Sequence, residues 1–131
     1  MNGRDIMYWE IDFDSNEAIY LQLHHQVIRG IAAAVLREGD SLPSVRQLAE
    51  DIGINMHTVN KAYNLLSQEG FVRIDRRRGA IICLDIDRIL AMEELTVQMR
   101  QVLARAICRN IPEQDVLNLV HMIYQEYQGQ R

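Results

Sequence analysis

Residues 44–84, SVRQLAEDIGINMHTVNKAYNLLSQEGFVRIDRRRGAIICL, decide the fold. Ser44 followed by Gln47 has the spacing of a capping box, in which the serine oxygen accepts from a free backbone N–H and the glutamine reaches back. Val45, Leu48, Ala49 and Ile52 fall at i, i+3, i+4 and i+7, the apolar face of a short helix. Gly53 stands where a left-handed residue ends such a helix. Asn55 is then a good N-cap, with Ile54 and Val59 placed as a hydrophobic staple. Val59, Ala62, Tyr63 and Leu66 form the buried stripe of the helix that follows, and Gly70 ends it. Helix, short glycine-containing turn, helix is the spacing of a helix-turn-helix. Phe71–Ile74, Asp75–Gly79 and Ala80–Leu84 read as strand, basic turn and strand, and a hairpin directly behind the second of these helices is a wing.

Upstream, residues 8–13 alternate with Trp9, Ile11 and Phe13 on one side, a short half-buried strand or an extended arm. From about Ile19 to Arg37 the pattern is helical. Leu23, Val27, Ile31 and Ala34 make one stripe, and Leu21, Ile28 and Val35 another, as in a helix wedged between two partners. Gly39-Asp40 is expected to stop it. Downstream, Met92, Leu95, Met99, Val102 and Ala106 alternate steps of three and four, a seam suited to another helix. Asn110-Ile111 breaks the chain, Pro112 suits a first helical position, and Glu113 and Asp115 suit a first turn. Val116, Val120, Ile123 and Tyr127 line one side of the last helix.

The expected fold is mainly α with a small β-wing. A winged helix-turn-helix over residues 1–84, with an arm over 1–18, is followed by a C-terminal two-helix antiparallel hairpin over 85–131. Met92, Leu95, Met99, Val102, Val116, Val120, Ile123 and Tyr127 are the expected dimerisation seam.

Composition bounds the function. The 131 residues are 48% hydrophobic, enough for a core, and no apolar run approaches the ~20 residues that span a bilayer. The first residues lack the layout of a signal peptide, so a cytoplasmic protein is expected, nucleoid-associated when bound to DNA. Cys83 and Cys108 have no Cys-x-x-Cys partner and read as free thiols, one in a strand and one in a helix. The net charge is −4, but a nucleic-acid surface needs only a local basic face, and Arg73, Arg76, Arg77 and Arg78 supply one, diluted by Asp75.

A recognition helix must bury one side and offer the other to base edges in the major groove. Opposite the buried stripe lie His57, Asn60, Lys61, Asn64 and Gln68. Asparagine pairs with adenine N6/N7, lysine reaches guanine or phosphate, and Thr58 can bond phosphate. Taken alone, such a face is an ordinary solvated surface; the capped helix before it and the basic hairpin after it favour DNA. Arg46, on the polar side of the preceding helix, either pairs with Glu50 or contacts DNA, and Ser44 can present its hydroxyl or nearby N–H groups to a phosphate. The adjacent arginines 76, 77 and 78 repel one another unless a polyanion neutralises them, and Gly79 permits close backbone approach.

Other classes fit less well. A winged helix used only between proteins would suit the acidic total and Met56. An enzyme would need convergent groups, yet His24-His25 and Glu93-Glu94 are adjacent pairs on a helix surface that do not share a face. A metal sensor would need His24, His25, His121 and Cys108 to converge without any tight ligand spacing. No cofactor or metal is implied, and no effector can be named.

Gly39–Ala49 (GDSLPSVRQLA) resembles the G-x-x-L-P-S-x-R-x-L-A signature of the GntR family of bacterial repressors. Ile54–Tyr63 resembles that family's V-(S/N)-x-x-T-V-x-x-A-Y recognition helix, Leu66–Val72 its L-x-x-E-G-(L/F)-(I/V) run, and Ala18–Leu23 its P-I-Y-x-Q-I segment, with alanine where proline is common. The resemblance covers roughly residues 8–84. The short remainder points by size to the YtrA-like subfamily, whose two C-terminal helices serve dimerisation. It implies double-stranded operator DNA as partner, a homodimer on an inverted repeat, often at a transporter operon, and contacts from Ser44, Arg46, Asn55, Met56, His57, Asn60, Lys61 and Gly79. Met56 falls where arginine is frequent, and Gly79–Ile82 replaces the common G-T-F-V.

Overall fold

The computed structural model describes residues 7–85 and 87–129. The first six residues of the expected arm lie outside them. The elements in order are α1 (Ile19–Ala32), α2 (Val45–Ile52), α3 (Met56–Gln68), β1 (Val72–Asp75), β2 (Gly79–Ile82), α4 (Arg88–Cys108) and α5 (Glu113–Gln128). The described residues divide into two units, 7–85 and 87–129.

In the first unit α1 and α2 pack on α3, which also meets β1. Leu23 and Val27 from α1, Leu48 from α2, Val59 and Leu66 from α3 and Ile82 from β2 are all fully buried. The expected caps form. Ser44 Oγ accepts from the Gln47 N–H, Gly53 ends α2 at φ 80°, and Asn55 Oδ1 accepts from the His57 N–H. The return half of the capping box does not form, because the Gln47 amide points down the helix and donates to Asp51 Oδ1 at 2.7 Å.

β1 and β2 pair antiparallel from Val72↔Ile82 to Asp75↔Gly79. β2 has a second neighbour that the sequence pattern did not announce. Gly39 N–H donates to Ile82 O, Ile82 N–H to Asp40 O and Leu42 N–H to Ala80 O, each at 2.8 Å. Ser41 makes a single antiparallel bridge to Ile81. The segment ahead of α2 therefore stiffens the wing from its other edge.

Two expectations need correction. α1 ends at Ala32 rather than near Arg37. Both Val35 and Leu36 donate their N–H to Gly30 O, and Ala34 turns the chain at φ 60°. A left-handed alanine costs about 1 kcal/mol, and the turn drives Leu36 to 1% exposure in return. Gly30 makes room for it, since a Cβ there would stand 3.1 Å from Leu36 Cδ1. Residues 8–13 form no strand, which leaves the extended arm of the two readings, and only the shared side expected for Phe13 fails. Trp9 and Ile11 pack against the core as expected, but Phe13 is 62% exposed.

The arm is instead held by side chains. Asp12 N–H donates to Gln22 Oε1 and Gln22 Nε2 donates to Asp12 O, both at 2.9 Å. Glu10 N–H donates to Gln26 Oε1, and Gln26 Nε2 donates back to Glu10 O. Residues four apart on a helix rise about 6 Å, and residues two apart on an extended chain advance about 6.6 Å. Two glutamine amides thus act as the missing neighbouring strand. Gln22→Glu removes the donors to Asp12 O and Glu17 O and sets a carboxylate against both carbonyls. Thermal melts are expected to show a loss of about 3 kcal/mol at neutral pH. The new carboxyl would have a raised folded pKa, so stability should be largely regained below about pH 4 and lost as pH rises. Equal stability of variant and native chain at pH 7 would show that the amides do not fasten the arm.

In the second unit Asp87 caps α4 by accepting from the Leu90 N–H, and Asn110 turns the chain toward α5 at φ 60°. Pro112 is the N-cap of α5, one position ahead of the expected place. α4 and α5 are not closely packed on one another. No described residue of this unit is buried. Of the expected seam, Met99, Ala106, Val116 and Tyr127 are half-buried, as is Leu103, which the pattern missed. Met92, Leu95, Val102, Val120 and Ile123 are exposed.

Candidate nucleic-acid interface

The start of α2 is fixed from both sides. Ser44 Oγ is occupied as an acceptor, which leaves its hydroxyl proton free to donate. Behind it, the buried Tyr63 hydroxyl donates to Pro43 O at 2.8 Å and so ties α3 to the Leu42-Pro43-Ser44 corner. Burial pushes the Tyr63 pKa well above its ordinary value, so the hydroxyl stays a donor. Arg46 is exposed, and among the described residues it forms no ion pair with Glu50. Among the described residues its guanidinium has no hydrogen-bond or ion-pair partner.

α3 presents what the sequence placed on it. Asn55, His57, Asn60, Lys61, Asn64 and Gln68 are exposed, Met56 is 47% exposed, and Thr58 is half-buried. Asn55 spends only its oxygen on the cap, at 2.7 Å from the His57 nitrogen, so its two amide protons remain available. Five of these polar side chains, His57, Asn60, Lys61, Asn64 and Gln68, line a depression of about 390 Å³ together with Tyr20 and Leu65. The Lys61 ammonium sits 4.1 Å from the centre of the Tyr20 ring. Tyr20 is the residue that reasoning from α3 alone missed, since it belongs to α1.

At the wing tip Asp75 organises the turn. Its Oδ1 accepts from the Arg77 N–H at 2.7 Å and the Arg78 N–H at 3.2 Å. Those two bonds, and then the charges of Arg73 and Arg78, hold its carboxyl below the usual aspartate range against slight desolvation. The turn is thereby closed by backbone donors, and the side chains of Arg76, Arg77 and Arg78 are left exposed. Gly79 has φ 76°, while an added Cβ would meet nothing within 4 Å. Backbone conformation, rather than lack of space, favours glycine there.

The histidine pair differs from the surface pair expected. His24 is buried at 6% exposure, and its Nε2 bonds Glu69 Oε1 at the C-cap of α3. Its Nδ1 has no hydrogen-bond partner among the described residues. His25 Nδ1 lies 3.1 Å from Glu17 Oε2. Among the described residues no three His, Cys, Asp or Glu side chains gather as a metal site. Cys83, just past β2, and Cys108, the last residue of α4, are free thiols. No described helix is long and apolar enough to cross a membrane.

Comparison with known proteins bears on this surface. The pattern that describes bacterial regulatory proteins of the gntR family matches residues 18–82. The HTH-type transcriptional repressor YtrA of Bacillus subtilis (strain 168) is 35% identical over 100 residues, covering 74% of this chain and 77% of that one. A solved structure of YtrA from Sulfolobus acidocaldarius, a GntR-family transcription factor, is 40% identical. It superposes with a TM-score of 0.62 over 76% of this chain and 98% of that one. A transcriptional antiterminator from Listeria monocytogenes EGD-e superposes at 0.81 over 93% of both chains, and at 22% identity it shows the shared fold. The matched stretch holds the capped α2, the polar-faced α3 and the arginine-tipped wing, and the chain accordingly belongs to the gntR family of bacterial regulatory proteins, as a DNA-binding transcriptional regulator rather than an enzyme.

Proposed function

We propose that two copies of this chain bind an inverted-repeat operator and repress the adjoining gene, with a transporter operon as the target class. In this reading α3 enters the major groove, where Asn60, His57 and the free amide of Asn55 face base edges and Met56 meets an apolar edge such as a thymine methyl. Ser44, Thr58 and Lys61 serve backbone or base contacts, and Arg46 reads a base from α2. Arg76, Arg77, Arg78 and Gly79 approach the neighbouring phosphates and minor groove. The observation that carries the reading is the set of donors left over once the caps are made: Ser44 O–H, the Asn55 amide protons and the unpaired Arg46 guanidinium. Residues that cap helices and still expose a donor suit a surface that must be rigid and reach outward. Two-fold pairing through Met92, Leu95, Met99, Val102, Val116, Val120, Ile123 and Tyr127 would set the half-site spacing. It is supported by the absence of any buried residue among the described residues of the second unit.

The test begins with selection of bound duplexes from a random pool, followed by gel-shift titration of the selected operator against a scrambled duplex. Arg46→Ala is expected to reduce the preference for operator at least 10-fold, as loss of a base-reading arginine costs about 1–3 kcal/mol of discrimination. Binding by the native chain should weaken with salt at a log–log slope of about −0.9 per neutralised phosphate. Unchanged discrimination by Arg46→Ala would remove that residue from the reading surface.

A further inference from the structure

We infer that Tyr20 is a positioning residue for DNA binding: its ring holds the Lys61 ammonium against a backbone phosphate, so that Lys61 grips the strand rather than reading a base. The inference deepens, and rests on, the proposed binding of operator DNA by α3.

Lys61 lies on the exposed polar side of α3, where its flexible stem gives it a choice between base edge and phosphate. The choice is made by α1. The ammonium sits 4.1 Å from the Tyr20 ring centroid, within the range of a cation–π contact. Tyr20 is half-buried in the core's margin and belongs to the second position of α1, so its ring is a fixed platform. No acidic side chain lines the depression shared by Tyr20, His57, Asn60, Lys61, Asn64 and Gln68. Among the described residues the ammonium has no carboxylate partner. A cation held on an aromatic face, with no intramolecular counter-ion, has its open side available to an external anion. Planar, two-point recognition of guanine suits arginine, whereas a lysine ammonium acts as a point charge and suits phosphate. The asparagines flanking Lys61 along α3 retain both donor and acceptor and are left to discriminate bases.

The experiment measures fluorescence anisotropy of the full-length chain with the selected operator and a scrambled duplex over a range of salt. Lys61→Ala is expected to weaken both duplexes by the same factor, about 5–10-fold, leaving their ratio intact and making the salt slope shallower by about 0.9. Tyr20→Leu should do the same to a lesser degree, about 3-fold, and should add nothing in the Lys61→Ala background. Tyr20→Phe, which keeps the ring, should bind as the native chain does. A fall in operator preference in Lys61→Ala, with scrambled binding unchanged, would make Lys61 a base reader and overturn the inference. So would an additive effect of Tyr20→Leu, or a Tyr20→Phe variant as impaired as Tyr20→Leu. Should the native chain bind no duplex at low salt, the parent reading fails first, and that result is seen before any variant is made.

Discussion

A glutamate in place of Leu95 or Val102 is expected to convert a dimer to monomers and to cut operator affinity by roughly 10³-fold, while each chain remains folded. The argument turns on exposure. Leu95 is 46% and Val102 59% exposed in the single chain. A charge at either position therefore costs that chain little, within about 0.5 kcal/mol for a surface change. Across a two-fold seam the same charge is buried twice over, against its own copy, at several kcal/mol for each unpaired carboxylate. Losing the partner turns a two-point attachment into a one-point attachment, which is worth about 10²–10⁴ in avidity. Val97 is 57% exposed but lies off the seam, so Val97→Glu is the control and should leave both properties as they were. Sedimentation velocity reads the first effect and gel shift the second. Dimers that persist in Leu95→Glu and Val102→Glu would displace the seam from the proposal.

Alanine at Arg76, Arg77 and Arg78 together should weaken operator binding roughly 100-fold near physiological salt and make the log–log salt slope shallower by about 2.7. The geometry predicts that folding is untouched, because Asp75 closes the turn through the backbone N–H groups of Arg77 and Arg78, which alanine retains. Lysine at the three positions separates charge from shape. It should keep the slope, yet reduce any preference for a narrow A·T-rich minor groove, where arginine is favoured. A salt slope unaltered by the triple alanine change would mean that the wing tip faces solvent in the complex.

The parts of this molecule that local chemistry dictates were readable before any coordinates. Ser44, Gly53 and Asn55 announce helix boundaries because a cap is decided within three or four residues. The stripe Val59, Ala62, Tyr63, Leu66 announces a buried face because the helical period does so. What stayed hidden depends on partners distant in sequence. The apolar pattern runs on past Ala32, so only the seating of Leu36 against Gly30 shows why the helix stops there. The pairing of Gly39–Leu42 went unannounced because its hydrogen-bonding partner, β2, lies some forty positions later. His24 looked like half of a surface pair because nothing nearby reveals Glu69. In the candidate interface, the α3 face was legible as a list of side chains, whereas the seating of the Lys61 ammonium on Tyr20 required a residue from another helix. The second unit reverses the difficulty: its apolar residues were plain, but a single chain leaves them uncovered.

The glutamine fastening has a further consequence for how the regulator responds to its ionic surroundings. Gln22 and Gln26 bind Glu10 and Asp12 through neutral amides, whose grip barely changes with dissolved salt. In the proposed complex the arginines and Lys61 would be held to nucleic acid by a force that mobile ions weaken steeply. On that proposal, rising ionic strength should strip the protein from its operator while its amino-terminal strap stays buckled, so that what is released is an intact reader, ready to rebind once the ions subside.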